Sequence, residues 1–313
     1  MATAGGPFLG LLLVVGLFAL DSEVRGYFFT GANAKIVLVQ TVIVALGALG
    51  MTMIIVSGGI DLSAGAVVAL TSVVGARMLV AGWSPTMAAA AAMLMGALFG
   101  LLSGSIVAGF RMMPFVVTLG TMGVARGVAK WLAGNQTVSN PPGSALHRLM
   151  ELRQPRELFP LPPGVWITIA LAVLMTVVMR RTVFGRHVFA LGGSEPATRL
   201  CGVRVPGLKV CVYALGGLFF GLAGLMQLSR LTQGDPTVAI GLELDIIAAV
   251  VIGGASLNGG TGSILGAMIG ALIMAVLRNG SNQMGWPNYM QEIIIGTVIV
   301  LAVGLDKWRQ RGR

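Results

Sequence analysis

The chain has 313 residues, of which 56% are hydrophobic and only 10% are charged, and its mean hydropathy is +0.88. A composition this apolar argues against a water-soluble domain of this size. A spanning helix needs roughly 20 apolar residues, so the chain holds about eight to eleven spans and has no room for a soluble catalytic domain. The formal charge of +10 does not indicate nucleic-acid binding, because the basic residues lie mainly between and after apolar runs, where they suit loops and helix ends.

Uncharged stretches between glycine, proline or charge clusters predict an all-α polytopic membrane protein, with about ten transmembrane helices and short loops in one domain over residues 1–313. Residues 246–277 carry no charge, and only the glycine-rich run 253–262 divides them, so nine or eleven spans also fit the pattern. The predicted spans are approximately 5–20, 36–57, 62–80, 85–109, 114–133, 165–179, 209–229, 242–256, 262–278 and 290–306.

Basic residues predict which ends of the helices face the cytoplasm. They crowd the loop over about residues 180–208 and the C-terminal tail, which places both inside. An even number of spans then puts the N-terminus inside and the loop 134–163 outside. The outer loop also contains arginines, so this orientation rests on local density. The basic residues are Arg180, Arg181, Arg186, Arg199, Arg204 and Lys209 in or beside the inner loop, Lys307, Arg309, Arg311 and Arg313 in the tail, and Arg148, Arg153 and Arg156 outside.

A carboxylate lies between two apolar runs in the segment 57–63, where Asp61 follows two glycines that can break a helix. A charge at membrane depth is costly and is therefore a functional candidate. The alternative is that Asp61 caps a helix starting at Leu62 at the cytoplasmic surface.

The basic loop contains a predicted short helix. Ser194 suits an N-cap, and Glu195 and Pro196 suit a first helical turn, while Gly202 suits the helix end. An ordinary positive-inside connector is the alternative, but a capped helix within a loop of about 30 residues favours a docking surface for a partner.

Two acids, Glu243 and Asp245, precede an apolar run. They suit the positive N-terminal dipole of a helix, and an acid pair is also compatible with a transport path. Glu292 starts the last span in much the same way.

The run 253–262 has so many glycines that its exposed backbone needs protein or water around it, so it is a candidate gate or cytoplasmic turn. The chain has no Gly-Lys pair and hence no Walker A sequence. His147 and His187 lie in loops predicted on opposite sides of the membrane, so no catalytic triad or histidine metal cluster is apparent. Cys201 and Cys211 fit neither a metal spacing nor a CxxC motif and are expected to be reduced. The sequence indicates no enzyme and no cofactor bound by this chain.

One internal similarity relates residues 58–65 to residues 253–260, which share the pattern Gly-Gly-x-x-Leu-x-x-Gly. Transporters are often built from duplicated halves with broken helices at matching positions. In a chain with 46 glycines, coincidence explains the pattern equally well.

Several of these segments together resemble the permeases of ribose-type ABC importers, a branched-chain-type group that also serves xylose, galactose and autoinducer-2. The matching stretches follow one another in order over nearly the whole chain. The sequence departs from the family pattern at Ser194, commonly Asn, at Pro196, commonly Ala or a polar residue, and at Ala64, commonly Val. The matching stretches are 49–52, 57–63, 114–121, 126–127, 185–186, 190–193, 241–245, 248–254, 256–260 and 279–280.

The resemblance implies a ten-helix permease of the bacterial inner membrane. It would pair with a second copy or a paralogue, with ABC ATPase subunits that hold ATP and Mg²⁺, and with an extracytoplasmic sugar-binding protein. It also implies alternating access, in which a coupling helix seated in the ATPase moves the bundle around a sugar path. The expected coupling residues are Gly193, Ser194, Glu195, Pro196, Ala197, Thr198, Arg199 and Leu200, and the path candidates, which offer hydrogen-bond partners to a neutral sugar, are Asp61, Ser63, Asn258 and Thr261.

The rival hypothesis is an autonomous carrier coupled to protons or sodium, with Asp61, Glu243 or Asp245 as its ion site. Such a carrier transports without an ATPase, which leaves a docking helix without a purpose. A membrane enzyme is a third hypothesis, disfavoured by the lack of a catalytic cluster. The sequence does not name the sugar, since specificity in such systems rests mostly with the binding protein.

Overall fold

The computed structural model describes residues 5–20, 22–152 and 161–311. The described residues form thirteen α-helices, one 3₁₀ helix and two very short strands. The helices are α1 (Gly5–Ala19), α2 (Ser22–Phe28), α3 (Gly31–Val56), α4 (Ala64–Val80), α5 (Pro85–Phe110), α6 (Pro114–Ala133), α7 (Pro163–Arg181), α8 (Val183–Gly193), α9 (Glu195–Leu200), α10 (Val205–Leu231), α11 (Leu242–Ile252), α12 (Ile264–Gln283) and α13 (Asn288–Arg311), with the 3₁₀ helix at Ala145–Leu149 and strands β1 (Val138–Ser139) and β2 (Gln233–Gly234).

Each of the ten predicted spans coincides with one helix, namely α1, α3 to α7 and α10 to α13. Five of these, α3, α5, α7, α10 and α12, are long and apolar enough to cross a membrane by length and composition, and α1 and α4 are apolar but shorter. The chain is therefore an all-α, multi-pass membrane protein.

Several helices extend past the predicted boundaries because charged residues do not end them. Helix α10 begins at Val205 instead of 209, and α12 runs through Arg278 to Gln283. Long basic side chains can reach polar surroundings from inside a helix, so a charge is a poor marker of a helix end. Helix α11 differs in the other direction, since it ends at Ile252, before the predicted limit of 256.

Glycines bring the central helices into direct backbone contact. A β-carbon on Gly96 or Gly100 of α5 would meet the backbone of α10, and one on Gly217 would meet the backbone of α5. Close approach of this kind is how helices associate in lipid, where no hydrophobic force drives them together. Helix α3 lies deepest, and nearly all its residues from Val37 to Val56 are buried.

One end of the bundle is closed by a small β-ribbon. Val138 of β1 pairs with Gly234 of β2 in antiparallel register, so the segments that follow α6 and α10 lie at the same end. The predicted outer loop packs there as well, because the backbone N–H of Met150 donates to the hydroxyl oxygen of Ser229 near the end of α10 at 3.0 Å. Its residues Arg153 and Arg156 lie outside the described residues. We call this end the ribbon end.

The opposite end holds the loop between α7 and α10 and two breaks in the helices. The break between α3 and α4 and the break between α11 and α12 meet there, since the N–H of Gly260 donates to the carbonyl oxygen of Val56 at 2.9 Å. Helix α10 starts near this end and finishes at the ribbon end, so the two ends are opposite. We call this second end the junction end.

Both breaks begin with the same helix-ending turn. Gly58 and Gly254 have left-handed backbones, with φ of 85° and 91°, and the next residue in each case bonds back to the helix, Gly59 to Ile54 and Ala255 to Val250. The sequence similarity pairs Gly58 with Gly253, whereas the left-handed glycine of the second break is one position later. The sequence alignment and the structural alignment of the two breaks therefore differ by one residue.

Candidate functional site: a coupling hairpin and two helix breaks

A helical hairpin fills the basic loop. The short helix predicted after Ser194 is present as α9, and the Ser194 hydroxyl caps it by accepting a hydrogen bond from the N–H of Ala197 at 3.3 Å. Ser194 therefore does the capping that the more usual Asn would do. Pro196 stands in the first turn, where its missing N–H costs nothing. Helix α8, which precedes α9, was not predicted.

Glu195 ties α9 to the first turns of α10. Its carboxylate accepts a 2.7 Å hydrogen bond from the Lys209 ammonium and a 3.0 Å bond from the Arg199 guanidinium. The hydrogen bond and charge of Lys209, assisted by Arg199, hold the pKa of Glu195 below its usual value. Both oxygens are therefore occupied within the chain, and Glu195 acts as a strut that fixes the orientation of α9.

The outward face of α9 is apolar at its end. Leu200 is 90% exposed, and Pro196 and Ala197 are exposed beside it, whereas Thr198 is buried and bonds to the carbonyl oxygen of Ser194. A leucine held this openly at the tip of a capped helix suits insertion into a partner's groove. The arrangement fits a docking element.

The last turn of α8 packs onto the two helix breaks. A β-carbon on Gly192 would meet the carbonyl oxygen of Val56 and the N–H of Gly260, the two groups that join the breaks. A β-carbon on Gly259 would lie 3.0 Å from the α-carbons of both Gly58 and Gly192. We call Gly58, Gly192, Gly259 and Gly260 the glycine junction. It places the hairpin in backbone contact with the end of α3 and with the connection between α11 and α12.

The four predicted path residues fall into two groups. Asp61 and Ser63 are buried in the first break, and the Asp61 carboxylate accepts hydrogen bonds from the N–H and hydroxyl of Ser63 at 2.8 and 2.6 Å. Helix α4 starts at Ala64 with Ser63 at its N-cap position, so the helix does not begin at Leu62 with Asp61 as its cap. The Asp61 carboxylate instead stabilises the turn that precedes the helix. Asn258 and Thr261 are exposed in the second break.

The predicted acid pair stands at the start of α11, as expected. Asp245 is buried and forms an ion pair with Arg278 of α12. Glu243 lies close to Gly65 at the start of α4, where a β-carbon would meet its carboxylate. Glu292 was expected at the start of the last span, but α13 begins four residues earlier, at Asn288, so Glu292 lies beyond its first turn.

The site also contains an arginine, Arg126, that was not predicted as a functional residue. Arg126 of α6 donates to the carbonyl oxygens of Pro236 and Val238 at 3.1 and 2.7 Å, and it lies within electrostatic range of Glu243. The sequence signal that could have identified it is a charged residue inside an otherwise apolar predicted span.

A cavity of about 660 Å³ opens at the ribbon end, between the start of α3, the 3₁₀ helix and the end of α10. Its wall includes Gln40, Ser144, His147 and Arg230.

A comparison with known protein families decides what kind of membrane protein this is. The family described as "Branched-chain amino acid transport system / permease component" matches residues 33–303. The chain belongs to this permease family. The resemblance to ABC permeases is thereby confirmed, and the chain is a transport subunit and not an enzyme.

Curated relatives of this permease match over almost their full length. The ribose import permease proteins RbsC of Escherichia coli (strain K12) and Bacillus subtilis (strain 168) are each 39% identical, over 96% of this chain and 93% and 92% of their own. The fructose import permease protein FrcC of Rhizobium meliloti is 34% identical over 95% of this chain and 84% of its own. No solved structure matches the chain.

Proposed function

We propose that this permease is the membrane-spanning subunit of an ATP-driven importer of a monosaccharide, a ribose-like pentose or a related sugar. The observation that carries the proposal is the near full-length identity of 39% to ribose import permeases. The relatives named for fructose and L-arabinose import are 33–34% identical, which favours a neutral sugar over an amino acid.

In this proposal the helical bundle spans the bacterial inner membrane, with the ribbon end outside and the junction end and C-terminus in the cytoplasm. Two observations support the orientation. The inner loop 180–208 carries a dense set of basic residues, as cytoplasmic loops do. The structure also gathers this loop and both helix breaks at one end, and the 134–152 segment at the other.

The α8–α9 hairpin docks on a separate ATPase subunit, which holds ATP and Mg²⁺. Leu200 is the apolar anchor of this contact, and an anchor buried in a partner's pocket commonly dominates the energy of an interface. The strut between Glu195 and Lys209 keeps the anchor in position.

Force from the ATPase passes through the glycine junction. When the ATPase subunits close, α9 moves with them. Helix α8 then displaces both helix breaks, because its residue Gly192 is in contact with each of them. Because backbone meets backbone there, no flexible side chain absorbs the motion. The shift of α3 and α11 then opens the sugar path between this chain and a second permease copy or paralogue, while a sugar-binding protein docks at the ribbon end.

The test is uptake of labelled ribose, arabinose and fructose by proteoliposomes that contain the permease, its ATPase and the binding protein encoded beside it. We expect ATP-dependent uptake of at least one of these sugars, with loss of uptake when either partner is omitted. Uptake of branched-chain amino acids in place of sugars would overturn the proposed substrate class.

A further inference from the structure

Helix α11 is too short to cross a membrane. Its 11 residues span about 16 Å, roughly half of a 30 Å hydrocarbon core. It follows residues 235–241, which are not helical and contain two left-handed backbones, at Ala239 and Gly241. We call residues 235–241 the irregular segment.

The irregular segment descends into the bundle. Arg126, which donates to the carbonyl oxygens of Pro236 and Val238, stands about 18 Å from the start of α6 and about 10 Å from its end. The carbonyl oxygen of Ala239 and the Glu243 carboxylate both lie against Gly65, near the start of α4. Non-helical backbone therefore reaches from the ribbon end to about the middle of the bundle.

Charged side chains lie along the same half of the bundle, between the ribbon end and its middle. Arg126 is within electrostatic range of Glu243 and Asp235, and Arg230 is within range of Arg278, which pairs with Asp245. Arg230 also lines the 660 Å³ cavity at the ribbon end, so the cluster continues into that cavity. The acids and arginines balance in number. They are Asp235, Glu243, Asp245, Arg126, Arg230 and Arg278.

The cluster is not sealed inside the chain. Ile240 is 75% exposed and Leu244 is 49% exposed, and Thr237 is exposed as well. One carboxylate oxygen of Glu243, packed against Gly65, has no hydrogen-bond partner among the residues that the structure describes. Lipid cannot solvate open backbone or charges, which at membrane depth occur against protein or beside water.

We propose that the irregular segment, with Arg126 and Glu243, forms a wall of the water-filled sugar path in the outer half of the bundle. This inference rests on the proposed import function and assigns its path to residues other than Asp61, Ser63, Asn258 and Thr261. The exposed Thr237 and the open backbone of the segment offer hydrogen-bonding groups to sugar hydroxyls. Equal numbers of acids and arginines suit a neutral polyol, since a charged ligand gains no net attraction.

The test is the reactivity of single cysteines in the assembled importer. Cys201 and Cys211 are first replaced by serine, and Ile240→Cys is compared with Ile169→Cys. Ile169 is the matched control, because it is 42% exposed and lies about 9 Å from the start of α7, at a similar depth on another face. Both variants are treated from outside with a membrane-impermeant methanethiosulfonate reagent.

The Ile240→Cys variant should react about ten times faster than Ile169→Cys or more, because only the former faces water. Saturating transported sugar should slow its reaction. Equal reactivity of the two variants would overturn the proposal. An unreactive Ile240→Cys variant that instead cross-links to its counterpart in the second copy would also overturn it, because the segment would then be a dry contact between permeases.

Only complexes that show ATP-driven uptake before labelling are used, which keeps this test separate from that of the import function. If neither the unmodified complex nor the cysteine-replaced complex shows uptake, the result counts against the import function itself. An active complex whose Ile240→Cys variant stays unreactive counts against the path wall alone.

Discussion

The backbone N–H of Gly260 donates a 2.9 Å hydrogen bond to the carbonyl oxygen of Val56 and so joins two helix breaks that lie about two hundred residues apart. The bond links the end of α3 to the connection between α11 and α12. Gly192, at the end of α8, lies directly against both of its atoms. One contact point therefore connects the proposed ATPase-docking hairpin with both breaks.

Replacing Gly192 by alanine should uncouple transport from ATP hydrolysis. The added methyl group meets backbone on both sides, so the hairpin must shift, with a strain of about 1–3 kcal/mol. We expect sugar uptake per ATP hydrolysed to fall about tenfold or more, which is the measurement. Gly193→Ala is the matched control, because a β-carbon on Gly193 would meet no atom of the described residues within 4 Å. Equal effects of the two substitutions would contradict a specific role of the junction.

Leu200 should govern the affinity for the ATPase. Truncation to serine removes an anchor worth about 1–3 kcal/mol, so the ATPase should dissociate from the permease roughly ten to a hundred times more readily. The measurement is ATPase retained on the purified permease, with Leu200→Met as the conservative variant that should bind normally. Retention unchanged by Leu200→Ser would remove Leu200 from the interface.

The pair of Glu195 and Lys209 should matter for coupling and little for stability. An ion pair this exposed contributes about 0–1 kcal/mol to folding, so Lys209→Met should leave the melting temperature nearly unchanged. Uptake per ATP should nevertheless fall, because α9 loses its strut. Lys209→Arg keeps the positive charge, so this variant should retain most of the uptake per ATP of the unmodified protein.

The pH dependence of this pair follows from the lowered pKa of Glu195. A carboxylate with a lowered folded pKa contributes its stabilisation above its ordinary pKa and loses it as the pH falls through the lowered value. Coupling should therefore be flat between about pH 6 and 8 and weaken only in acid. A titration of the coupling ratio centred near neutral pH would show that another group controls it.

Breaking the ion pair between Asp245 and Arg278 should destabilise the protein. The Asp245 side chain is only 3% exposed, so Arg278→Met leaves a buried charge without its partner. We expect the free energy of unfolding to fall by an amount at the lower end of about 3–5 kcal/mol, because Arg278 itself is half-exposed. The double variant Asp245→Asn with Arg278→Gln should recover most of that loss. Thermal unfolding in nanodiscs compares the three proteins. A double variant as unstable as the single one would show that the charges are needed for another reason.

Sequence patterns were sufficient for the elements that depend on local chemistry. Apolar runs located the ten helices that match the predicted spans, and the capping residue Ser194 located α9. Helix α8 was missed because its polar residues, Arg186 and His187, made it look like part of a loop. Local patterns also misplaced helix ends, as at α10, where Lys209 lies inside the helix.

Contacts between distant segments could not be predicted in the same way. Nothing in the sequence relates Gly192 to Val56, or Arg126 to Pro236, because both contacts depend on how the helices pack. The acid Glu195 was correctly placed on α9, but the sequence could not show that Lys209 engages it.

The most direct test of the account is the energy source of transport. The initial rate of labelled ribose uptake is measured in proteoliposomes that hold the permease, its ATPase and binding protein, with ATP on the ATPase side and with ionophores that collapse proton and sodium gradients. We expect uptake that survives the ionophores and stops when the ATPase is left out. Uptake by the permease alone, driven by an ion gradient and indifferent to ATP, would contradict it.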